Sequence, residues 1–283
     1  MGRYLIELGF YFFCTLPRII WGKLHGNLVR VHWGRHLNNF GDCLTPDILK
    51  YYGMTPAYIS SNEEADIILA GTILQWVKPS FNGYIVGTGG DRGKIPSFPY
   101  AKIKAVRGKY TRDCLNLSSD VLLGDPGLLM SYIYSSHVEQ IYELGIILHF
   151  VDKDKYLFDN IKKRGGVLFI NVLDSPKHVV SKIKKCKHIV SSSLHGLIIA
   201  DAYHIPNAWI LNRNTMPTHF YEEKFEDYYS SLDIIDVTPN VIDGTETVQQ
   251  LINMCTLKPI EKIEQLKLNL NRLFKEICAE LKK

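Results

Sequence analysis

The stretch of the chain best suited to chemistry runs from Val190 to Tyr203 (VSSSLHGLIIADAY). Ser191, Ser192 and Ser193 close a short apolar run, and a helical pattern then opens with His195 and Gly196 in its first turn. Serine hydroxyls and the unpaired N–H groups of a helix start make a pocket for an anion. The positive helix end disfavours an imidazolium, so His195 would release a proton readily. A bound phosphate would act in the opposite sense and leave its pKa near neutrality. The same pattern also suits a serine N-cap beside an ordinary buried histidine.

Four further constellations stand where short apolar runs end. Asn38-Asn39-Phe40-Gly41-Asp42 follows the first run; Gly41 permits close backbone approach, and Asp42 can accept a hydrogen bond from a sugar hydroxyl. An Asx-capped turn is the plainer alternative. Gly87–Gly93 (GTGGDRG) is glycine-rich, but its third glycine is one place late for GxGxxG and Ile95-Pro96 blocks an immediate helix. That excludes a dinucleotide fingerprint and leaves Gly89 to touch an anion or a sugar, or simply to connect. Arg107 ends another run, and its planar fork of donors matches a carboxylate or phosphate. Asp125, in Gly124-Asp125-Pro126-Gly127, would either cap the next helix or face a cleft. A fifth constellation lies further on, where Lys224 and Asp227 belong to KFEDYYS. An acid between aromatic rings suits a sugar, and the same residues suit an amphipathic helix burying Phe225, Tyr228 and Tyr229.

Such residues act together only if strands and helices bring them to one place. The apolar pattern predicts strands at Leu28–Trp33, Asp66–Ala70, Tyr84–Val86, Ile103–Val106 and Val121–Leu123. A second series follows at Gly145–Phe150, Val167–Ile170, His188–Val190 and Ala208–Leu211. Helical patterns lie between them: from Thr45 to a stop at Gly53, then Lys109–Leu117, Lys155–Arg164, Ser175–Lys185 and Ser193–Tyr203. From Pro259 onward Ile263, Leu266, Leu270, Leu273, Phe274, Ile277 and Leu281 share one stripe. Strand–helix alternation predicts an α/β fold with parallel sheets in two Rossmann-like halves. The division reads as an apolar segment 1–24, a first half 25–138 and a second half 139–283 that ends in helices, with the boundary inside Ser131–Glu143.

The chain has 283 residues, 46% hydrophobic and 22% charged, which excludes a disordered or low-complexity protein. A net charge of +4 is too small to argue for wrapping nucleic acid and fits anionic small molecules or an anionic membrane. Six cysteines with no CxxC pair read as free thiols of a reducing cytoplasm. The apolar stretch Tyr4–Trp21 is interrupted by Glu7, Pro17 and Arg18, which is poor for a spanning helix. It suits packing on the protein, or lying at a membrane interface.

NFGD after the first strand, VRGKYTRD, GDPGLL and SSSLHGLIIADAYHIP, in this order, resemble the polysaccharide pyruvyltransferase family, and KFEDYYSS resembles the tail of its shorter bacterial members. The resemblance runs from about Val31 to Ser231. It implies two Rossmann-like domains facing across a cleft, similar to GT-B glycosyltransferases, with a C-terminal helix. It also implies transfer of pyruvate from phosphoenolpyruvate onto two sugar hydroxyls, giving a cyclic ketal and phosphate. The implied acceptor is a sugar of a capsule or exopolysaccharide repeat, lipid-linked at the cytoplasmic membrane face. No metal or organic cofactor and no nucleic acid is implied, and the expected location is the cytoplasm at the inner face of the membrane.

On this resemblance His195 is the acid that protonates the methylene carbon. Arg107 holds the donor's carboxylate or phosphate, aided by Ser191–Ser193, and Asp42 orients or deprotonates the acceptor hydroxyl. Many members carry Arg two residues before the His, where this chain has Ser193. The role of that Arg then passes to Arg213 or Lys224. Two rival readings are a GT-B glycosyltransferase using a nucleotide sugar and an inactive carbohydrate-binding homologue.

Overall fold

The computed structural model describes residues 2–35, 39–152, 157–212 and 220–282. Two parallel sheets organise them. The first comprises β1 (Leu28–Val31), β2 (Thr55–Tyr58), β3 (Ile67–Leu69), β4 (Tyr84–Val86), β5 (Lys102–Val106) and β6 (Leu122–Leu123), in spatial order β2-β1-β3-β4-β5-β6. The second comprises β7 (Leu144–Ile147), β8 (Val167–Phe169), β9 (Ile189–Ser191), β10 (Asn207–Asn212) and β11 (Asn240–Ile242), in order β11-β10-β9-β7-β8. Short continuous apolar runs form these strands because the central ones are buried on both faces; Ile67–Leu69 and Leu144–Ile147 are buried throughout. In each sheet the first strand lies between the second and the third, so both share one winding order.

The N-terminal segment is helical: α1 (Gly2–Phe10), a π-turn (Tyr11–Thr15) and α2 (Leu16–Leu24). No helix among the described residues is long and apolar enough to cross a membrane. The remaining helices are α3 (Leu44–Tyr51), α4 (Lys109–Cys114), α5 (Met130–Ile133), α6 (Pro176–Lys184), α7 (Leu194–Ala202), α8 (Phe220–Ser231), α9 (Val248–Met254) and α10 (Ile260–Leu281). α7 is buried along its whole length, as its run of Leu, Ile and Ala requires.

Two elements differ from the sequence expectation for visible reasons. The helix expected at Lys155–Arg164 is a series of turns where it is described; Lys155 lies outside the described residues. Phe158 takes a φ of 66°, which a right-handed helix cannot contain, and its ring is buried with Leu157 and Ile161 against β7 and β10. The unanticipated strand β2 contains Pro56, which is tolerated because β2 is an edge strand pairing with β1 alone.

The halves are tied by chain returning from the second to the first. One core cluster includes Val31, Leu44 and Leu69 of the first half with Ile147, Ile199 and Phe274. α10 stacks Phe274 on Tyr52 at 5.3 Å between centroids, and its Glu280 accepts a hydrogen bond from the Tyr84 hydroxyl. α8 packs against α4. The stripe that begins after Pro259 therefore clamps the first sheet from the far end of the chain.

Candidate active site

A parallel sheet opens a crevice where its winding order reverses, at the carboxyl ends of its strands. In the first sheet that point lies between β1 and β3, and in the second between β7 and β9. Both crevices contribute to one cavity of about 540 Å³. The segment after β1 supplies His32, Trp33, Asn39 and Asp42; that after β3 supplies Thr72, Ile73 and Trp76. The segments after β7 and β9 supply His149, Phe150, Ser193 and His195, and α8 adds Lys224.

His195 meets the NFGD turn directly. A Cβ on Gly41 would fall 2.0 Å from His195 Nδ1, so only glycine lets the backbone lie against the ring. Phe40 contacts the same ring edge-on, at 6.2 Å between centroids. Asn39 Oδ1 accepts a hydrogen bond from Gly41 N at 3.3 Å, so the Asx turn and the cavity-lining role coexist. Asn38 lies outside the described residues. On the other side, His195 Nε2 is 3.9 Å from Asp125 Oδ2, and both atoms are buried without a hydrogen-bond partner. Asp125 Oδ1 accepts from Gly127 N at 2.8 Å. Asp125 thus both caps its turn and faces the imidazole.

Burial, with the cations Arg107 and Lys224 second, lowers the His195 pKa to about 3. Burial, not the helix end, leads this lowering; the near-neutral value expected of His195 refers to the site with a phosphate bound. The carboxyls move the other way. Burial raises Asp42 to about 6 against the pull of Lys224, and raises Asp125 to about 6 against Gly127 N–H and Arg107. Burial and Arg107 lower Lys224 to about 7, with Asp42 opposing. Lys224 Nζ lies 3.3 Å from His149 Nε2. The site therefore holds two carboxyls and an amine that all titrate near neutral pH.

Several anticipated ligand-binding residues build the wall instead. Arg107 is fully buried and does not line the cavity. Its Nε donates to Asp227 Oδ2 at 2.9 Å and its NH1 to Thr72 Oγ1 at 2.7 Å, while NH2 is buried without a partner. Asp227 accepts further from Thr111 N at 3.0 Å and Thr111 Oγ1 at 2.7 Å, so its carboxylate faces Arg107 and α4 and not a sugar. A Cβ on Gly89 would lie 2.3 Å from Arg107 NH2, so Gly89 makes room for the guanidinium and not for a ligand. Ser191 Oγ closes its own turn, donating to Ser193 O at 2.8 Å, and Gly196 packs over it. Ser192 Oγ accepts from His149 N at 2.9 Å. The pocket of three serine hydroxyls thus reduces to Ser193, which lines the cavity and caps nothing with its side chain. Arg213 lies outside the described residues.

Sequence reasoning passed over His149, Thr72 and the aromatic wall of Trp33, Tyr58 and Trp76. The signal for His149 was its place at the end of the run GIILHF, where the only imidazole sits past the last strand residue. Among the described residues no group of three His, Cys, Asp or Glu is placed to hold a metal ion.

Residues 95–214 match the profile of the family described as polysaccharide pyruvyl transferase. Over that segment, 120 of the 283 residues, the chain is similar to that family. The matched segment contains Arg107, Asp125 and His195, while Asp42 and Lys224 lie outside it. An uncharacterised protein, L143, of Acanthamoeba polyphaga mimivirus is 39% identical over 134 residues, 44% of this chain and 46% of its own. The succinoglycan biosynthesis protein ExoV of Rhizobium meliloti is 24% identical over 181 residues, 62% of this chain and 57% of its own. The chain thus spans about half the length of these curated relatives. A solved structure of an uncharacterised protein from Klebsiella pneumoniae covers 80% of this chain and 96% of its own, at 14% identity and a TM-score of 0.44.

Proposed function

We propose that this chain is a member of the pyruvyl transferase family and moves pyruvate from phosphoenolpyruvate onto two hydroxyls of a sugar, with the two halves facing each other in the GT-B manner. The observation that carries the reading is the meeting of Asp42, His195 and Lys224 in one cavity fed by both sheets' crevices. In the proposed reaction one sugar oxygen bonds to the central carbon of phosphoenolpyruvate as Asp42 takes its proton. His195 delivers a proton to the methylene carbon, which becomes a methyl group. The carbon–oxygen bond to phosphate then breaks, the second sugar oxygen closes the ketal, and its proton leaves on the phosphate. Exchange with solvent then returns the proton from Asp42 to His195, so each turnover leaves one hydroxyl proton equivalent on carbon and one on phosphate.

Lys224 is the cation at the cavity wall that takes over from the Arg absent at Ser193. Arg107 acts from behind, holding Thr72 and α8 and adding positive potential. A phosphate dianion beside His195 raises its proton affinity from the low value set by burial. Asp125, facing Nε2, does the same once ionised. The aromatic wall on the first sheet's side is the acceptor's platform: Trp33 and Tyr58 meet edge to face at 4.8 Å.

The test is incubation of the full chain with phosphoenolpyruvate and a panel of sugar acceptors. Acceptor-dependent phosphate release with a pyruvyl-sized mass gain on the sugar is expected. Release of nucleotide from a nucleotide sugar would turn the assignment to a glycosyltransferase, and sugar binding without turnover would make the chain a binding homologue.

A further inference from the structure

The N-terminal helical segment has two unlike sides. Its inner side is packed: α2 lies on β1 and β2, Thr15 is buried, and a Cβ on Gly22 would fall 2.8 Å from Leu28 Cα. Phe10 meets the cavity-lining Tyr58 edge-on at 5.8 Å. The Arg35 guanidinium lies 3.8 Å over the Phe10 ring and pairs with Glu7. The expectation of packing on the protein is therefore met by half of the helix surface.

The outer side is apolar and uncovered. Ile6, Phe13, Ile20 and Leu24, spread over α1, the π-turn and α2, are all exposed. Phe13 is 85% exposed and Leu24 77%, with Trp21 exposed beside them. Side chains this large, uncovered in a row, mark an interaction surface. Its charge says with what. From Leu8 to Gly41 there is no Asp or Glu, whereas Arg18 and Lys23 flank the stripe; Glu7 is held by Arg35. Trp21, stacked on His25 at 3.9 Å, adds an amphipathic ring of the kind favoured at headgroup depth. A segment apolar on one side, basic at its flank and interrupted by Glu7, Pro17 and Arg18 lies in the interface plane of an anionic bilayer.

We propose that the outer face of residues 6–24 docks the protein on an anionic phospholipid surface, with Phe13, Ile20, Trp21 and Leu24 entering the headgroup–acyl boundary. Because Phe10 and Arg35 brace Tyr58, the docked helix stands directly behind the cavity's aromatic wall.

The experiment is sedimentation of the full chain with vesicles of phosphatidylcholine alone or mixed with phosphatidylglycerol. Binding to the mixed vesicles is expected, about tenfold or more stronger than to the neutral ones and weakened by salt. The double substitution Phe13→Glu with Leu24→Glu should abolish it, leaving far-UV circular dichroism and any phosphate release with a soluble sugar unchanged. Lys23→Glu, at an exposed position, should reduce only the preference for anionic vesicles. Three results overturn the proposal: no binding of the unaltered chain to either vesicle, equal binding by the double variant, or self-association broken by that variant in a chain that ignores vesicles. Vesicle binding is read without catalysis. A chain that docks but releases no phosphate from phosphoenolpyruvate therefore breaks the functional reading alone, and the converse result breaks the docking alone.

Discussion

The two crevices that feed the cavity have the same strand order and unlike chemistry. The first sheet's crevice brings an acid, Asp42, with Trp33, Tyr58 and Trp76 around it. The second brings His149, Ser193 and His195, with Lys224 arriving on α8. On the proposed reading, one side holds a ring with hydroxyls and takes a proton from it, and the other holds an anion and gives a proton. Two of the contacts that join them at the cavity are Gly41 against His195, and Arg107 of the first half against Asp227 of α8. The same winding thus supplies two positions, and the residues at each decide which substrate each holds.

The deepest cut at this division is the Arg107–Asp227 pair. Both side chains are buried, and removing one partner leaves the other as an uncompensated charge. Asp227→Ala should lower unfolding free energy by about 3–5 kcal/mol, the usual size for breaking a buried pair. It should also carry Lys224, one helical turn away, out of place. Chemical denaturation checks the first expectation, and loss of donor affinity in the surviving folded fraction checks the second. A change under about 1 kcal/mol would mean that α8 is held by its apolar contacts alone.

Next is His195→Gln, which leaves a ring-sized polar group against Gly41. Turnover should fall by about 10²-fold or more, the size of a lost general acid, with phosphoenolpyruvate affinity nearly kept. If affinity falls while turnover survives, the imidazole belongs to binding and the division of labour between the halves is wrong.

These two sites were legible in the sequence to different degrees. Asp42, Gly41 and His195 could be read because short motifs at strand ends carry their own geometry: a glycine for close approach, a histidine in a helix's first turn. Arg107 and Asp227 were seen as chemistry-bearing, but their partner is each other. Nothing in a spacing of 120 residues says that a buried guanidinium will meet an acid on α8 before it meets a substrate. The sheets were legible because buried parallel strands are short apolar runs. β2 was not, since Thr55–Tyr58 contains proline, and its strand character comes from pairing with β1 at the edge. The turns at 157–163 were misread as helix because Leu157, Phe158 and Ile161 have helical spacing, while burial fixed Phe158 at a positive φ.

The pH profile sharpens the comparison further, because each half contributes one limb. Asp42 must be ionised to take a proton, and burial holds its pKa at about 6, so kcat/KM should fall as pH drops through that value. Lys224 must be charged to hold the donor, and burial with Arg107 lowers it to about 7, so kcat/KM should fall again as pH rises through that value. The expected profile is a narrow bell between the two. Lys224→Arg should weaken the alkaline limb and keep the acid one, since a guanidinium stays charged while His195 must still be protonated. A profile flat from pH 5 to 9 in the unaltered protein would detach both residues from the chemistry.

The smallest expected effect tests the acceptor side alone. Trp76 closes a short turn after β3 in which Asn62 Nδ2 donates to its carbonyl at 2.8 Å, so the backbone is held. Its indole nevertheless stays 66% exposed while lining the cavity. An indole with so little burial contributes little to folding, and Trp76→Ala should leave the melting temperature nearly unchanged. What it offers is a flat apolar face on which the CH side of a sugar ring can stack. Losing that contact should cost about 1 kcal/mol, comparable to other aromatic contacts. The KM for the sugar should then rise about fivefold. The KM for phosphoenolpyruvate should stay as it was, because the donor's anion is held from the second half by Lys224. Steady-state kinetics with each substrate varied in turn separates the two. Equal rises in both constants would mean that the aromatic wall serves donor and acceptor alike, and the assignment of one substrate to each crevice would fall.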